Sequence, residues 1–208
     1  MPKNPESTLD RFAREKLDAL EAQALRRRLV ETDRREGAIA FRDGRRLVSF
    51  CNMANMGIIP ALVREGDLIL ADELAHACLL SGSKLSGARV EIFRHNDMTH
   101  LEALLAAHRD AARHRLILTD GIFSMDGDAA PVEAMAEIAA RHDAWLMTDD
   151  AHGLGVVGRE GRGSSFLGNK KAAVPLQMGT LSKAIGAYGG YLCASHVVCD
   201  LIRTRART

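Results

Sequence analysis

Apolar residues follow a helical period near the start of the chain and form short runs further along. From about Thr8 to Val30 they stand at mostly helical spacings, which predicts an amphipathic helix. The stretches AIAF and RLVSF then flank Asp43-Gly44, a pair typical of two-residue hairpin turns. Residues 1–50 are therefore expected to form a helix followed by a β-hairpin, packed as an outlying arm.

From Gly57 onward, short apolar runs alternate with longer helical patterns. The predicted strands are DLILAD, VEIFRH, RLILTDGIF, AWLMTDD, PLQMGTLS and GGYLCAS. The predicted helices are IIPALVREG, HACLLSGSKLSG, DMTHLEALLAAHRDAARH and PVEAMAEIAARH, the last with Pro131 at its start. Strands that are continuous apolar runs between helices are typical of a mainly parallel sheet covered by helices on both faces. The predicted fold class is therefore α/β.

Polar residues follow directly after these predicted strands. In open parallel sheets, ligands bind at the carboxyl ends of the strands, so these residues are the first candidates for a site. The segments are Asp72–His76, His95–Asp97, Thr119–Asp128, Asp149–His152 and Thr180–Lys183. They are among the most polar parts of the chain, which favours a binding site along this edge.

Two of these segments contain groups suited to catalysis. In TDDAHG, a tight turn could direct Asp149 and His152 at one small planar ligand, or Asp149 could cap a helix while His152 lies at the surface. In GTLSKAIG, burial of Lys183 would lower its pKa and make a neutral amine available for a Schiff base. The alternative is a solvated lysine on a loop. Thr180 could donate to a phosphate or begin a turn.

Two further residues are weaker candidates. Ser124 lies in DGIFSMDGD, a polar strand exit without either common nucleotide-binding glycine motif. His76 precedes a predicted helix and could stack on an aromatic ligand, or could cap the helix.

Composition narrows the classes of function. The net charge of +1 gives no reason to expect nucleic acid as a partner, and 4% aromatic residues disfavour a stacking surface for single strands. The four cysteines show no metal-binding or redox spacing and are expected to be small buried apolar residues in a reducing compartment. No apolar leader or membrane-length run is visible. A cytoplasmic protein without membrane or nucleic-acid partners is the expectation.

Five ordered motifs identify a family. DELAHACLLSG, RHNDMTHLEALL, TDGIFSMDGD, DDAHGLGVVGREGRG and GTLSKAIGAYGGY closely resemble the α-oxoamine synthase family of fold-type-I pyridoxal-phosphate enzymes. The resemblance runs over nearly the whole chain. It implies a fold-type-I large domain, pyridoxal 5'-phosphate (PLP) as cofactor, no metal, and a homodimer.

The resemblance also implies roles for individual residues. Lys183 would carry PLP as a Schiff base and later move protons, and Asp149 would pair with the protonated ring nitrogen. His152 and Ser124 would lie at the phenolic oxygen of the ring. The remaining implied contacts are His76 stacking on the ring, Thr180 at the phosphate, and Arg26 at the carboxylate of the acyl substrate. A charged stripe on an exposed helix remains an equal alternative for Arg26.

The implied reaction joins an amino acid to an acyl thioester, carried by coenzyme A or by acyl carrier protein, with loss of carbon dioxide.

A second hypothesis is a non-catalytic, shortened homologue. It is favoured by two departures from the family pattern: no aromatic phosphate loop follows Phe50-Cys51-Asn52, and the chain stops at RTRART before a C-terminal domain. The expected organisation is an arm over residues 1–52 and part of the PLP-binding domain over 53–208, with a spatial break between Phe50 and Ala54.

Overall fold

The computed structural model describes residues 7–23, 33–36, 39–42, 45–48, 54–187 and 189–206, with backbone alone for the three segments between 33 and 48. Helix α1 spans Thr8–Ala22 and begins at Ser7, whose hydroxyl accepts a hydrogen bond from the Asp10 amide. The predicted first helix is confirmed to Ala22. Its predicted continuation to Val30 lies outside the described residues, as do Arg26 and the predicted break between Phe50 and Ala54.

The predicted hairpin is present. Strands β2 (Ile39–Arg42) and β3 (Arg45–Val48) are antiparallel, with Arg42 opposite Arg45, and the predicted turn at Asp43-Gly44 lies outside the described residues. A further strand that the sequence pattern did not predict, β1 (Asp33–Glu36), pairs with β2 to complete a three-stranded sheet.

The main sheet has six strands in the order β5-β4-β6-β7-β8-β9, and only the β8–β9 pair is antiparallel. Its strands are β4 (Leu68–Asp72), β5 (Arg89–Phe93), β6 (Arg115–Asp120), β7 (Trp145–Asp149), β8 (Leu176–Thr180) and β9 (Gly190–Cys193). The helices are α2 (Ala54–Leu62), α3 (Ala77–Ser86), α4 (Met98–Ala107), α5 (Val132–Arg141) and α6 (His196–Arg205). The predicted mainly parallel α/β sheet is confirmed.

Continuous apolar strands have a simple cause here, because both faces of the sheet are buried. Along β4, Ile69 belongs to one core cluster, whereas its neighbours Leu68 and Leu70 belong to the other. The first cluster contains residues of α1, α2, α3 and α6, and the second contains residues of α4 and α5. Helices therefore cover both faces, as predicted.

Three local expectations need correction. Helix α4 ends at Ala107 instead of reaching His114, because Leu105 is its last buried apolar residue and the following segment forms turns. Helix α6 was not predicted. Cys193 is exposed, whereas a buried position was expected for the cysteines.

Helix α1 packs directly against the main domain. Leu9, Phe12 and Leu17 share a core cluster with Val198 and Leu201 of α6. The domain boundary at residue 52 lies outside the described residues and stays a prediction. Among the described residues, no helix combines the length and apolar character needed to cross a bilayer.

Candidate active site

A cavity of about 200 Å³ opens at the carboxyl ends of β6, β7 and β8. Its position follows from strand register, because Asp120 of β6 lies opposite Asp149 of β7, which lies opposite Met178 of β8. Six lining residues are those selected from the sequence: His76, Ser124, Asp149, His152, Thr180 and Lys183. The structure therefore brings together residues that are more than 100 positions apart in the chain. Arg26 lies outside the described residues.

Asp149 is the buried acid of the cavity, with 5% of its surface exposed. Its Oδ1 accepts a hydrogen bond from the Ala151 amide at 3.0 Å, and its Oδ2 accepts one from Asn55 Nδ2 at 2.7 Å. Asp149 thus caps a turn, not a helix, and lines the cavity as well. Both hydrogen-bond donors are neutral amides, which stabilise the carboxylate form.

Lys183 lies in the loop between β8 and β9, and its side chain is exposed, which agrees with the solvated alternative and not with the buried one. The loop residues around it form bends and turns that reach solvent instead of packing into the core. Its Nζ atom lies 2.7 Å from His152 Nε2. Burial, followed by the positive charge of Lys183, lowers the pKa of His152. A neutral His152 ring can therefore accept a hydrogen bond from Lys183 Nζ.

His76 begins helix α3 and also lines the cavity. Its Nδ1 accepts a hydrogen bond from the Cys78 amide at 3.2 Å and lies 2.8 Å from the Cys78 thiol. The capping alternative considered for His76 is therefore realised. Because Nδ1 is the acceptor, a neutral ring carries its proton on Nε2.

Asp120 is a cavity residue that the sequence reasoning did not select. It is 6% exposed, and its Oδ2 accepts a hydrogen bond from the His76 amide at 3.0 Å. Burial, followed by the charge of Asp149, raises the pKa of Asp120 to about 7. Its position as the last residue of strand β6 is the feature by which Asp120 could have been selected from the sequence. Asn55, Cys78 and Ser182 were missed as well, and no local pattern marks Asn55.

Hydroxyl groups line the other side of the cavity. Thr180 Oγ1 donates to the Gly189 carbonyl at 3.1 Å and accepts from the Ser182 amide at 3.2 Å, so Thr180 begins a turn. The Ser182 hydroxyl lies 2.7 Å from Thr180 Oγ1. Ser124 is exposed on the loop that follows β6. These groups could hydrogen-bond an anionic substituent of a ligand.

Asp150 fixes the loop that carries His152. It is 2% exposed, and its two carboxylate oxygens accept the Ser164 amide at 3.1 and 2.9 Å. A Cβ atom at Gly121, Gly153 or Gly163 would overlap this carboxylate, so glycine at these positions permits the close approach. The pKa of Asp150 is raised, chiefly by burial, although the hydrogen bonding of Ser164 acts in the opposite direction.

Comparison with known proteins gives a consistent result. Residues 13–208 match the family model described as aminotransferase class I and II. An 8-amino-7-oxononanoate synthase of Beijerinckia indica is 65% identical over 156 residues, 75% of this chain and 40% of that protein. One from Maricaulis maris is 44% identical over 264 residues, 97% of this chain and 67% of that protein.

Among solved structures, serine palmitoyltransferase from S. paucimobilis with bound PLP-myriocin aldimine superposes with a TM-score of 0.69 at 31% identity. That match covers 74% of this chain and 40% of the transferase, so the matched part spans well under half of it. The 264 positions aligned with the Maricaulis protein exceed the 208 residues of this chain. The alignment therefore passes over residues of that relative that have no counterpart here.

Proposed function

The chain belongs to the aminotransferase class I and II family, and from this premise we propose that it performs the reaction of an 8-amino-7-oxononanoate synthase. It would condense L-alanine with a pimeloyl thioester, carried by coenzyme A or acyl carrier protein, in biotin biosynthesis. The products would be 8-amino-7-oxononanoate, the free carrier and carbon dioxide. The proposed cofactor is PLP, and the proposed setting is a homodimer in the cytoplasm.

One observation carries this proposal: an amine, an imidazole and a buried carboxylate meet in a single cavity. The Lys183 and His152 nitrogens are 2.7 Å apart, and Asp149 lies on the neighbouring strand end with both oxygens hydrogen-bonded. This donor set fits PLP, whose aldehyde needs an amine and whose ring nitrogen needs a carboxylate. The names of the two synthase relatives and the PLP of the solved transferase support the same cofactor and reaction class.

PLP, when bound, would supply an electron sink that makes the α-carbon of the amino acid acidic. Lys183 would hold the cofactor and then receive and return the α-proton, with His152 as the adjacent proton acceptor. Asp149 would hold the proton on the ring nitrogen, and His76 would stack on the ring face. Ser124 would lie beside the phenolic oxygen, and Thr180 would contact the phosphate. Arg26 would bind the distal carboxylate of the acyl group.

The assay that tests this proposal measures release of the free thiol in the presence of PLP. Alanine, glycine and serine are each offered with short-chain, succinyl, pimeloyl and palmitoyl thioesters, and Lys183→Ala serves as the blank. Fastest release with alanine and pimeloyl thioester is expected. Preference for glycine would indicate 5-aminolevulinate synthase or 2-amino-3-ketobutyrate ligase activity. Preference for serine with palmitoyl thioester would indicate the chemistry named for the solved transferase. Absence of a Schiff-base absorption band on adding PLP would favour a non-catalytic homologue.

A further inference from the structure

We propose that Asn55 is a positioning residue, whose amide aims the Asp149 carboxylate into the cavity and thereby keeps the ring nitrogen of bound PLP protonated. This inference rests on the proposed function. It concerns a residue of helix α2 that touches neither the cavity surface nor any group with an implied catalytic role other than Asp149.

The contact itself is short and shielded from water. Asn55 is fully buried, and its Nδ2 donates to Asp149 Oδ2 at 2.7 Å and to Cys78 Sγ at 3.0 Å. These two contacts use both hydrogens of the amide. The amide oxygen, Oδ1, is buried with no hydrogen-bond partner among the described residues. Rotating the amide by half a turn would place Oδ1 instead of Nδ2 against the Asp149 carboxylate, and two acceptors would then face each other. The contact with Asp149 therefore determines the orientation of the Asn55 amide.

Close helix packing brings Asn55 to this position. A Cβ atom at Gly82 of α3 would lie 2.7 Å from the Asn55 carbonyl oxygen and 3.0 Å from Ile59 Cδ1. The two helices are therefore in direct contact at Gly82. Any larger side chain there would push α2, and with it the amide, away from the end of β7.

The carboxyl groups around Asp149 explain why the hydrogen bond from Asn55 matters. Asp149 lies between Asp120, opposite it on β6, and Asp150, the next residue. Repulsion among neighbouring carboxylates disfavours their charged forms, whereas hydrogen bonds donated to a carboxylate favour its charged form. Of the two donors to Asp149, Ala151 contributes a backbone amide. Asn55 is therefore the donor that a substitution can remove while leaving the turn after β7 intact.

The experiment measures protonation of the ring nitrogen directly in the holoenzyme. Protein loaded with ¹⁵N-labelled PLP is titrated by ¹⁵N NMR for the parent, Asn55→Ala, Asn55→Ser and Ser83→Ala. Ser83 is also fully buried on α3, and its hydroxyl bonds the Leu79 carbonyl without touching Asp149, so it controls for loss of a buried hydrogen bond. The serine variant provides the measurement if the alanine variant does not fold.

We expect both Asn55 variants to lower the pH midpoint of the ring nitrogen by about one unit or more, since a hydrogen bond to a charged group is lost. Ser83→Ala is expected to titrate like the parent. Midpoints in the Asn55 variants equal to that of the parent would overturn this inference and leave the proposed function intact. An equal shift in Ser83→Ala would also overturn it, because the effect would then be a general loss of packing. A parent protein that does not bind PLP would overturn the proposed function, and this inference with it.

Discussion

Three buried carboxyl groups lie at the neighbouring ends of β6 and β7: Asp120, Asp149 and Asp150. Asp120 has a pKa raised from 3.8 to about 7, first by burial and then by Asp149. A carboxyl group whose pKa is higher in the folded than in the unfolded state holds its proton more tightly when folded. Its ionisation therefore costs stability as the pH rises from about 4 to about 7, and the whole cost is present above that range.

Replacing Asp120 by asparagine should remove this cost. Asp120→Asn keeps an oxygen that can accept the His76 amide but carries no charge. We expect its free energy of unfolding to exceed that of the parent at pH 8, by up to about 4 kcal/mol, with the gain shrinking toward pH 4. Urea unfolding of the apoprotein across this range measures it, with the exposed Asp126→Asn as control. A gain independent of pH would contradict the assignment.

The contact between His152 and Lys183 can be tested at the same scale. His152→Phe keeps a ring of similar volume but removes the nitrogen that lies 2.7 Å from the lysine amine. The imidazole can take up the proton that the lysine amine loses when it forms a Schiff base, so formation of the Schiff base with PLP should slow by about tenfold or more in this variant. Stopped-flow absorbance measures the rate, and Lys183→Ala gives the baseline. Equal rates for the parent and His152→Phe would show that the imidazole takes no part.

At the scale of elements, the contact between α2 and α3 decides where Asn55 lies. Alanine favours a helix over glycine by about 1 kcal/mol, so Gly82→Ala would stabilise α3 if space allowed. The backbone oxygen of Asn55 at 2.7 Å from the new Cβ leaves no such space. We expect a net loss of about 1–3 kcal/mol in unfolding free energy, together with weaker PLP binding.

The matched control for Gly82→Ala lies on the same helix. Lys84 is exposed, and Lys84→Ala should change the unfolding free energy by less than about 0.5 kcal/mol. Thermal and urea unfolding of the two variants give the comparison. A stability for Gly82→Ala at or above that of the parent would show that the helices can separate without cost.

The elements also show what the sequence pattern can and cannot predict. Strands such as RLILTD, buried on both faces, and the glycine that ends α3 in a left-handed conformation produce local signals that were interpreted correctly. The position of Asn55 could not be predicted, because its contact with Asp149 joins residues 94 positions apart and depends on how two helices pack. The choice between a buried and a solvated Lys183 stayed open for a related reason: the flanking small residues are compatible with burial, but loop geometry determines the exposure of the side chain.

At the scale of the whole molecule, the chain aligns over 67% of one synthase relative while lacking residues that the relative has. Binding of PLP to the folded state alone should raise the melting temperature with the logarithm of the ligand concentration relative to its dissociation constant. We expect PLP to raise the melting temperature more than pyridoxal, which lacks the phosphate. Thr180→Val should reduce this difference in melting temperature. Differential scanning calorimetry measures all three. Equal stabilisation by PLP and pyridoxal would place the phosphate contacts among the residues that this chain lacks.

The antiparallel last strand of the main sheet has a consequence for the lysine loop. Thr180 pairs with Gly190, and the Leu181 amide donates to the Gly189 carbonyl, so the connection that carries Lys183 is closed at its base. A group on a short closed loop samples a small volume, and its effective concentration at a nearby point is in the millimolar range or higher. The Lys183 amine is therefore held at such a concentration beside the cavity. Under the proposed function it would still compete for the cofactor as an intramolecular partner after a substrate amine had replaced it, which a free amine in solution would not.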